Sequence, residues 1–242
     1  MNEVFLIGKI ISDIEFKFII NSNVDEDDIK EFCHKVYDHE KHTYNAELLT
    51  VEDKWILNKL DKLVKDVTQN IENYDLGIAI DKIYNFIWNE FCDWYIEMVK
   101  PRLYSDNYET KVAVCDILNH VFGTSLKLLH PFMPFITTEI YSNLVSYSDK
   151  DLMVSKWPRV RSKFVFDKEE KVIESIKEII VGIRNARAKL NVHPSKKSKL
   201  IFVTSEFKNE IEDSKLFIEK LGFANEIVVQ ENKDNIPENA IS

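Results

Sequence analysis

The chain has 242 residues, 45% of them hydrophobic and 12% aromatic, enough apolar surface for one large core or two modest ones. Its formal charge of −9 argues, as a sum, against a nucleic-acid partner, because phosphate binding is ordinarily supported by an excess of Lys and Arg. No stretch reaches the roughly 18 unbroken apolar residues of a membrane span, and the opening MNEVFLIGKIISDIEF lacks the basic-then-apolar order of a secretory signal, so a soluble, cytoplasmic protein is expected.

In chain order, VFLIGKII and FKFII make residues 1–22 β-rich and predict a short hairpin, which needs a surface to cover it. Residues 23–49 are acidic: Asp25, Glu26, Asp27, Asp28, Glu31, Asp38, Glu40 and Glu47 stand against Lys30, Lys35 and Lys41. Cys33, His34, His39 and His42 crowd together there, but their spacing is not that of a zinc site, and no metal is expected. Cys33, Cys92 and Cys115 are odd in number and widely spaced, which suggests reduced thiols rather than a disulfide framework.

Five glycines and six prolines in the whole chain predict long helices with short connections. Thr50 with Glu52 and Asp53 reads as a helix start, followed by Ile56, Leu60, Leu63, Val64, Val67 and Ile71 at helical spacing. Ile80, Ile83, Ile87, Phe91, Trp94 and Met98 draw a second stripe that Pro101 should end or kink. A third helix is expected from about 109 to 129, broken by His130-Pro131-Phe132-Met133-Pro134-Phe135, and a short fourth from about 138 to 144. These make a four-helix bundle over residues 50–157, with Trp157-Pro158 as its boundary.

A small α+β appendage is expected over 158–231, before a polar tail at 232–242. Its first helix, about 167 to 190, should bury Val172, Ile176, Ile179, Ile183 and Leu190 and carry Arg184, Arg187 and Asn191 on a neighbouring face. A strand at 200–203, a helix at 207–221 and a strand at 226–230 follow. Arg184, Arg187, Lys189, Lys196, Lys197 and Lys199 fall within sixteen residues that contain no acid, so a local basic patch exists despite the total charge; a solvated helix end is the alternative.

Three stretches carry a family resemblance. They are Asp53-Lys54-Trp55-Ile56-Leu57 with Tyr84-Asn85-Phe86-Ile87-Trp88-Asn89-Glu90-Phe91-Cys92-Asp93-Trp94-Tyr95-Ile96-Glu97; Leu129-His130-Pro131-Phe132-Met133-Pro134-Phe135-Ile136-Thr137-Thr138-Glu139-Ile140; and Ile183-Arg184-Asn185-Ala186-Arg187 through Asn191-Val192-His193-Pro194-Ser195-Lys196-Lys197. In this order they resemble the C-terminal anticodon-binding part of valyl-tRNA synthetases, class I enzymes. Residues 1–22 resemble, more briefly, the opening of a single-stranded-DNA-binding OB-fold.

The resemblance implies a mainly α fold, a helical anticodon-binding bundle with a small C-terminal α+β appendage. It also implies a tRNA partner, valine-specific, with Trp88, Tyr95, Lys100, Arg102, Arg184, Arg187, Asn191, Lys196, Lys197 and Lys199 as the RNA-contacting candidates. Aromatic rings stack unpaired bases, and Lys and Arg meet phosphates. The chain departs from the family at residues 31–38, an acidic, eroded form of a helix that is Asn- and aromatic-rich in the family: His34 stands for Asn, Tyr37 for Trp and Asp38 for Asn. The His-x-Gly-His and Lys-Met-Ser-Lys-Ser signatures that hold ATP in class I synthetases do not occur, and the isolated glycines form no phosphate cradle. No catalytic residue and no cofactor are therefore expected of the chain alone, and a separate catalytic chain is a possible partner. The rival expectation is a protein-interaction remnant of a rearranged synthetase gene.

Overall fold

The structure is a computed structural model that describes residues 37–38, 43–44, 49–142, 144, 151–160, 165–193, 195–232 and 236. The predicted hairpin of residues 1–22, the Cys33/His34/His39/His42 group and nearly all of the polar tail lie outside the described residues. In the acidic segment, β1 (Tyr37–Asp38) pairs antiparallel with β2 (Thr43–Tyr44), in the register Tyr37 to Tyr44 and Asp38 to Thr43. The end of the stretch read as an eroded helix is thus a strand.

The chain divides into two compact units, one built on Met1–Leu49 and Ile56–Val165, the other on Thr50–Trp55 and Phe166–Ser242. The division falls at 165/166, eight residues beyond the Trp157-Pro158 boundary read from sequence, and it assigns the first turn of α1 (Val51–Glu72) to the second unit.

The first unit is helical. Ile56, Leu60, Val64 and Val67 of α1 are buried at the predicted period. After α2 (Leu76–Asn85) the backbone widens into a π-helix, Phe86–Tyr95, and returns to α geometry in α3 (Ile96–Leu103). The Ile96 N–H donates to the Phe91 carbonyl, five residues back. With about 4.4 residues per π-turn, positions 86, 91 and 95 share a face. Phe86, Phe91 and Tyr95 are accordingly buried, whereas Trp94, expected in the core at a 3.6-residue period, is only half-buried. Ile80, expected on the same stripe, is 39% exposed. The helix runs two residues past Pro101, which stands in the last turn of α3, where its missing N–H removes one hydrogen bond near a terminus that frays in any case.

The next helix, α4 (Tyr108–Leu129), is buried from Val112 to Leu126, with Val112, Val114, Ile117, Leu118, Val121, Phe122 and Leu126 in the core and Asp116, Asn119 and His120 buried among them. By length and composition Glu109–Leu129 is apolar enough to cross a membrane, but 94% of its window is buried inside this bundle. The Asn107 side chain caps it by accepting from the Thr110 N–H at 3.1 Å. At its other end the chain turns at His130, whose Nδ1 lies 2.8 Å from Thr137 Oγ1, and Pro134 opens α5 (Pro134–Ser142) at the position where a missing N–H costs nothing. A 3-10 turn at Leu152–Val154 completes the unit, and Trp157 Nε1 donates to Thr68 Oγ1 at 2.9 Å.

In the second unit α6 (Asp167–Lys189) is followed by β3 (Ser198–Val203), α7 (Lys208–Asp213), α8 (Lys215–Leu221) and β4 (Ala224–Gln230). The single helix expected over 207–221 is two, meeting at Ser214. β3 and β4 are parallel, Leu200 opposite Ile227 and Phe202 opposite Val229, as a helical crossover connection requires. The buried face of α6 is Val172, Ile173, Ile176 and Ile180; Ile179 and Leu190, expected in the core, are 41% and 55% exposed. Trp55 anchors the turn 50–55 in this unit. Its ring is fully buried, its Nε1 donates to Glu174 Oε1 at 3.1 Å, and the Lys177 ammonium sits 4.9 Å from its ring.

Candidate nucleic-acid interface

The candidate residues fall into the two units, four in the first and six in the second. In the first, Tyr95 is fully buried and stacked on Phe91, with ring centroids 6.0 Å apart. It is a core residue, and the π-turn that placed it there is the reason. Arg102 is 9% exposed, also inside the bundle. Lys100, half-buried, pairs with Glu97 one turn back. Trp88 is half-buried and lies nearly parallel to Tyr84, at 6.4 Å between centroids and 12° between planes.

Tyr84 was absent from the sequence candidates. It is 54% exposed, and Leu76 and Ile80, at 47% and 39%, continue the same i, i+4 line along α2. The signal available in the sequence was the aromatic pair at positions 84 and 88, one helical turn apart. Asn85 and Asn89, hydrogen-bonded to each other at 3.1 Å, follow each ring and are both exposed.

In the second unit the sixteen-residue basic segment becomes the last two turns of α6 and the connection to β3. Arg184 is exposed, with Nε donating to the Leu221 carbonyl at 3.2 Å. Arg187 is turned inward to the connection: Nη2 donates to the His193 carbonyl at 3.0 Å and to the Lys196 carbonyl, and Nη1 to Ser198 Oγ at 3.3 Å. Its guanidinium carbon lies 5.3 Å from the centre of the Phe223 ring. Asn191, exposed, takes the left-handed conformation with φ 51°, as suits the residue that ends a helix. Lys199 pairs with Glu226 at 2.6 Å, which cancels its charge locally. Lys196 and Lys197 are exposed, and among the described residues no carboxylate lies within ion-pair distance of either.

Burial first, and then the Asp93 carboxylate, push the Cys92 thiol up to about 12, which makes it a poor nucleophile. Burial likewise pushes the Tyr141 phenol up to about 12. Among the described residues no group of His, Cys, Asp and Glu is arranged to hold a metal ion.

The described residues thus form a mainly helical protein, a bundle built on a buried helix in one unit and, in the other, a basic helix end leading to a small parallel sheet. Residues 53–202 match the family described as the anticodon-binding domain of tRNA ligase, and the chain belongs to that family. Its similarity to individual members is to valine-tRNA ligases: it is 41% identical over 192 residues to that of Clostridium tetani, covering 79% of this chain and 22% of the relative. Against the valine-tRNA ligase of Clostridium acetobutylicum it is 43% identical over 199 residues, 82% of this chain and 22% of the relative. The chain spans about a fifth of the length of these relatives.

Proposed function

We propose that the chain is a tRNA-binding module of the cytoplasm, directed to valine tRNAs, that makes its phosphate contacts through the connection between α6 and β3 and presents Tyr84 and Trp88 to unpaired bases. The observation that carries this is the family match over residues 53–202, which includes both regions. The exposed basic residues support phosphate contact, because Lys196, Lys197 and Arg184 point a cationic surface to solvent within a chain that is otherwise acidic. The Tyr84–Trp88 pair supports base contact, since a flat exposed ring offers a stacking surface to any base. Amino-acid activation is assigned to residues outside this sequence, which contains neither class I nucleotide signature; a separate catalytic chain is one way to supply them.

The experiment is filter binding of the full chain to a valine tRNA transcript and to the same transcript with a changed anticodon, across a salt series. The valine transcript is expected to bind better, by about 1 to 3 kcal/mol per lost stacked base. Trp88→Ala and Tyr84→Ala should each erase part of that preference without lowering helix content. Equal affinity for both transcripts at every salt concentration, unaltered by either substitution or by charge removal at Arg184, would leave the protein-interaction remnant, which the net charge of −9 favours.

A further inference from the structure

We propose that Arg187 is a positioning residue rather than a phosphate ligand: it folds the turn of His193 and Ser195–Ser198 into a preformed anion-binding loop whose cations are Lys196 and Lys197. The inference rests on the RNA-binding reading and assigns roles within that site.

The fork geometry of a guanidinium suits the edge of a phosphate, and sequence alone leaves Arg187 between a phosphate contact and a structural salt bridge. In the folded chain both of its terminal nitrogens already donate into the loop, to two carbonyls and one hydroxyl. One face of the guanidinium plane is set against the Phe223 ring. The same loop closes on itself, with the Lys196 N–H donating to the His193 carbonyl at 3.0 Å and the Ser195 N–H to His193 Nδ1 at 3.2 Å. The Val192 N–H donates to the carbonyl of Arg187 itself at 2.9 Å, so the residue holds the turn by its main chain and its side chain.

Two residues beside the loop adopt left-handed backbone, Asn191 with φ 51° and Phe223 with φ 55°. Asn tolerates this conformation, but a bulky aromatic does not, and strain of that kind persists where surrounding contacts impose it. At Phe223 those contacts are its carbonyl, which accepts from the Ser198 N–H at 3.1 Å, and its ring, which meets Arg187. The outcome of this hydrogen-bonded knot is a short segment with its carbonyls turned in to Arg187 and two adjacent ammonium side chains left in solvent. Cations carried on an ordered backbone bind an anion with less ordering cost than the same cations on a loose loop. Lys199 is excluded from the cradle by its pairing with Glu226.

The full chain is tested in two arms. In the first, without RNA, trypsin cleavage after Lys196 and Lys197 is timed for the wild type, Arg187→Lys and Ser198→Ala. Arg187→Lys keeps the charge but loses the fork, and cleavage should quicken by about tenfold or more; Ser198→Ala removes one acceptor and should give a smaller increase. Unchanged cleavage in Arg187→Lys, with cooperative unfolding retained, overturns the positioning role. In the second arm, the salt dependence of binding to the valine tRNA transcript is compared. Removing both charges as Lys196→Gln with Lys197→Gln should lower the slope of log K against log salt by about 1.4, and Arg187→Lys should lower affinity and slope nearly as much despite its retained charge. If Arg187→Lys binds as the wild type does while Arg187→Ala fails, Arg187 is a direct phosphate contact and the proposal is overturned. If the wild type binds no transcript, the RNA reading falls together with the phosphate role, and the trypsin arm still decides whether Arg187 orders the loop.

Discussion

Among single residues, the aromatic positions of the π-helix show how one change of backbone period reassigns roles. A seven-residue step from Ile87 leads to Trp94 in an α-helix, and the same step widened by one residue leads to Tyr95. Tyr95 therefore fills the core beside Phe91, which itself stacks on Phe122, and Trp94 is left half-buried. Cys92, in the same segment, carries a thiol pushed up to about 12 by burial and by Asp93. Native protein should accordingly alkylate at Cys92 far more slowly than unfolded protein at pH 8, measured by mass spectrometry after iodoacetamide. The sign of the pH dependence follows from the same shift. A thiol or phenol whose pKa is raised by folding stabilises the folded state below its ordinary pKa and loses that contribution as pH rises toward the folded value. The loss falls between about 9 and 12 for Cys92 and between about 10 and 12 for Tyr141, so the thermal midpoint should decline as pH is raised from 8 to 11. A midpoint constant over that range would contradict both assignments.

At the scale of elements, the packing of α8 on the sheet depends on a close approach at Gly222. A Cβ there would meet the Ile218 carbonyl oxygen at 2.9 Å and Leu200 Cδ1 at 3.2 Å. The carbonyl belongs to the helix that Gly222 ends and cannot move without breaking its hydrogen bond from the Gly222 N–H at 2.8 Å. Gly222→Ala should destabilise the second unit by about 1 to 3 kcal/mol, as overpacking of a filled site does. Urea unfolding followed by near-ultraviolet signals is the measurement, and a change of a few tenths would show that the helix end relaxes freely. The ion pair of Lys168 with Glu210, at 2.5 Å, ties the start of α6 to α7; the hydrogen bond to Lys168 is the main cause holding Glu210 below the usual carboxylate range. Its contribution to stability is small because Lys168 is exposed.

For the whole molecule, charge sets the scale of any RNA affinity. With a net charge of −9, long-range repulsion opposes the approach of a polyanion, and the basic loop acts only within about a Debye length. Binding to tRNA is therefore expected on the order of micromolar or weaker at physiological salt, and it should fall steeply as salt rises. Nanomolar affinity that is insensitive to salt would place the contact elsewhere. α1, α3 and α4 each carry a buried apolar face among the described residues, and α3 packs on α4, so removal of residues 1–22 is expected to leave cooperative thermal unfolding intact. Loss of cooperativity in the shortened chain would show that this segment completes the core.

The apolar stripes of α1 and α4 were legible because hydrophobic periodicity is a local property, whereas the helix starts after Asn107 and at Pro134 lie one and four residues before the positions, about 109 and 138, that periodicity suggested. The family was legible as well, since its motifs are runs of residue types in a fixed order. Sequence also supplied the basic segment from Arg184 to Lys199, but as a list of charges without geometry. Only tertiary structure decided which of those charges are already engaged: Arg187 was drawn to loop carbonyls and Lys199 to Glu226, partners distant in sequence or lying across a turn. The same holds for the burial of Tyr95 and the exposure of Ile179. A π-turn shifts a helical face by one position, and the choice between neighbouring faces of α6 depends on what packs against it, neither of which a single periodicity encodes.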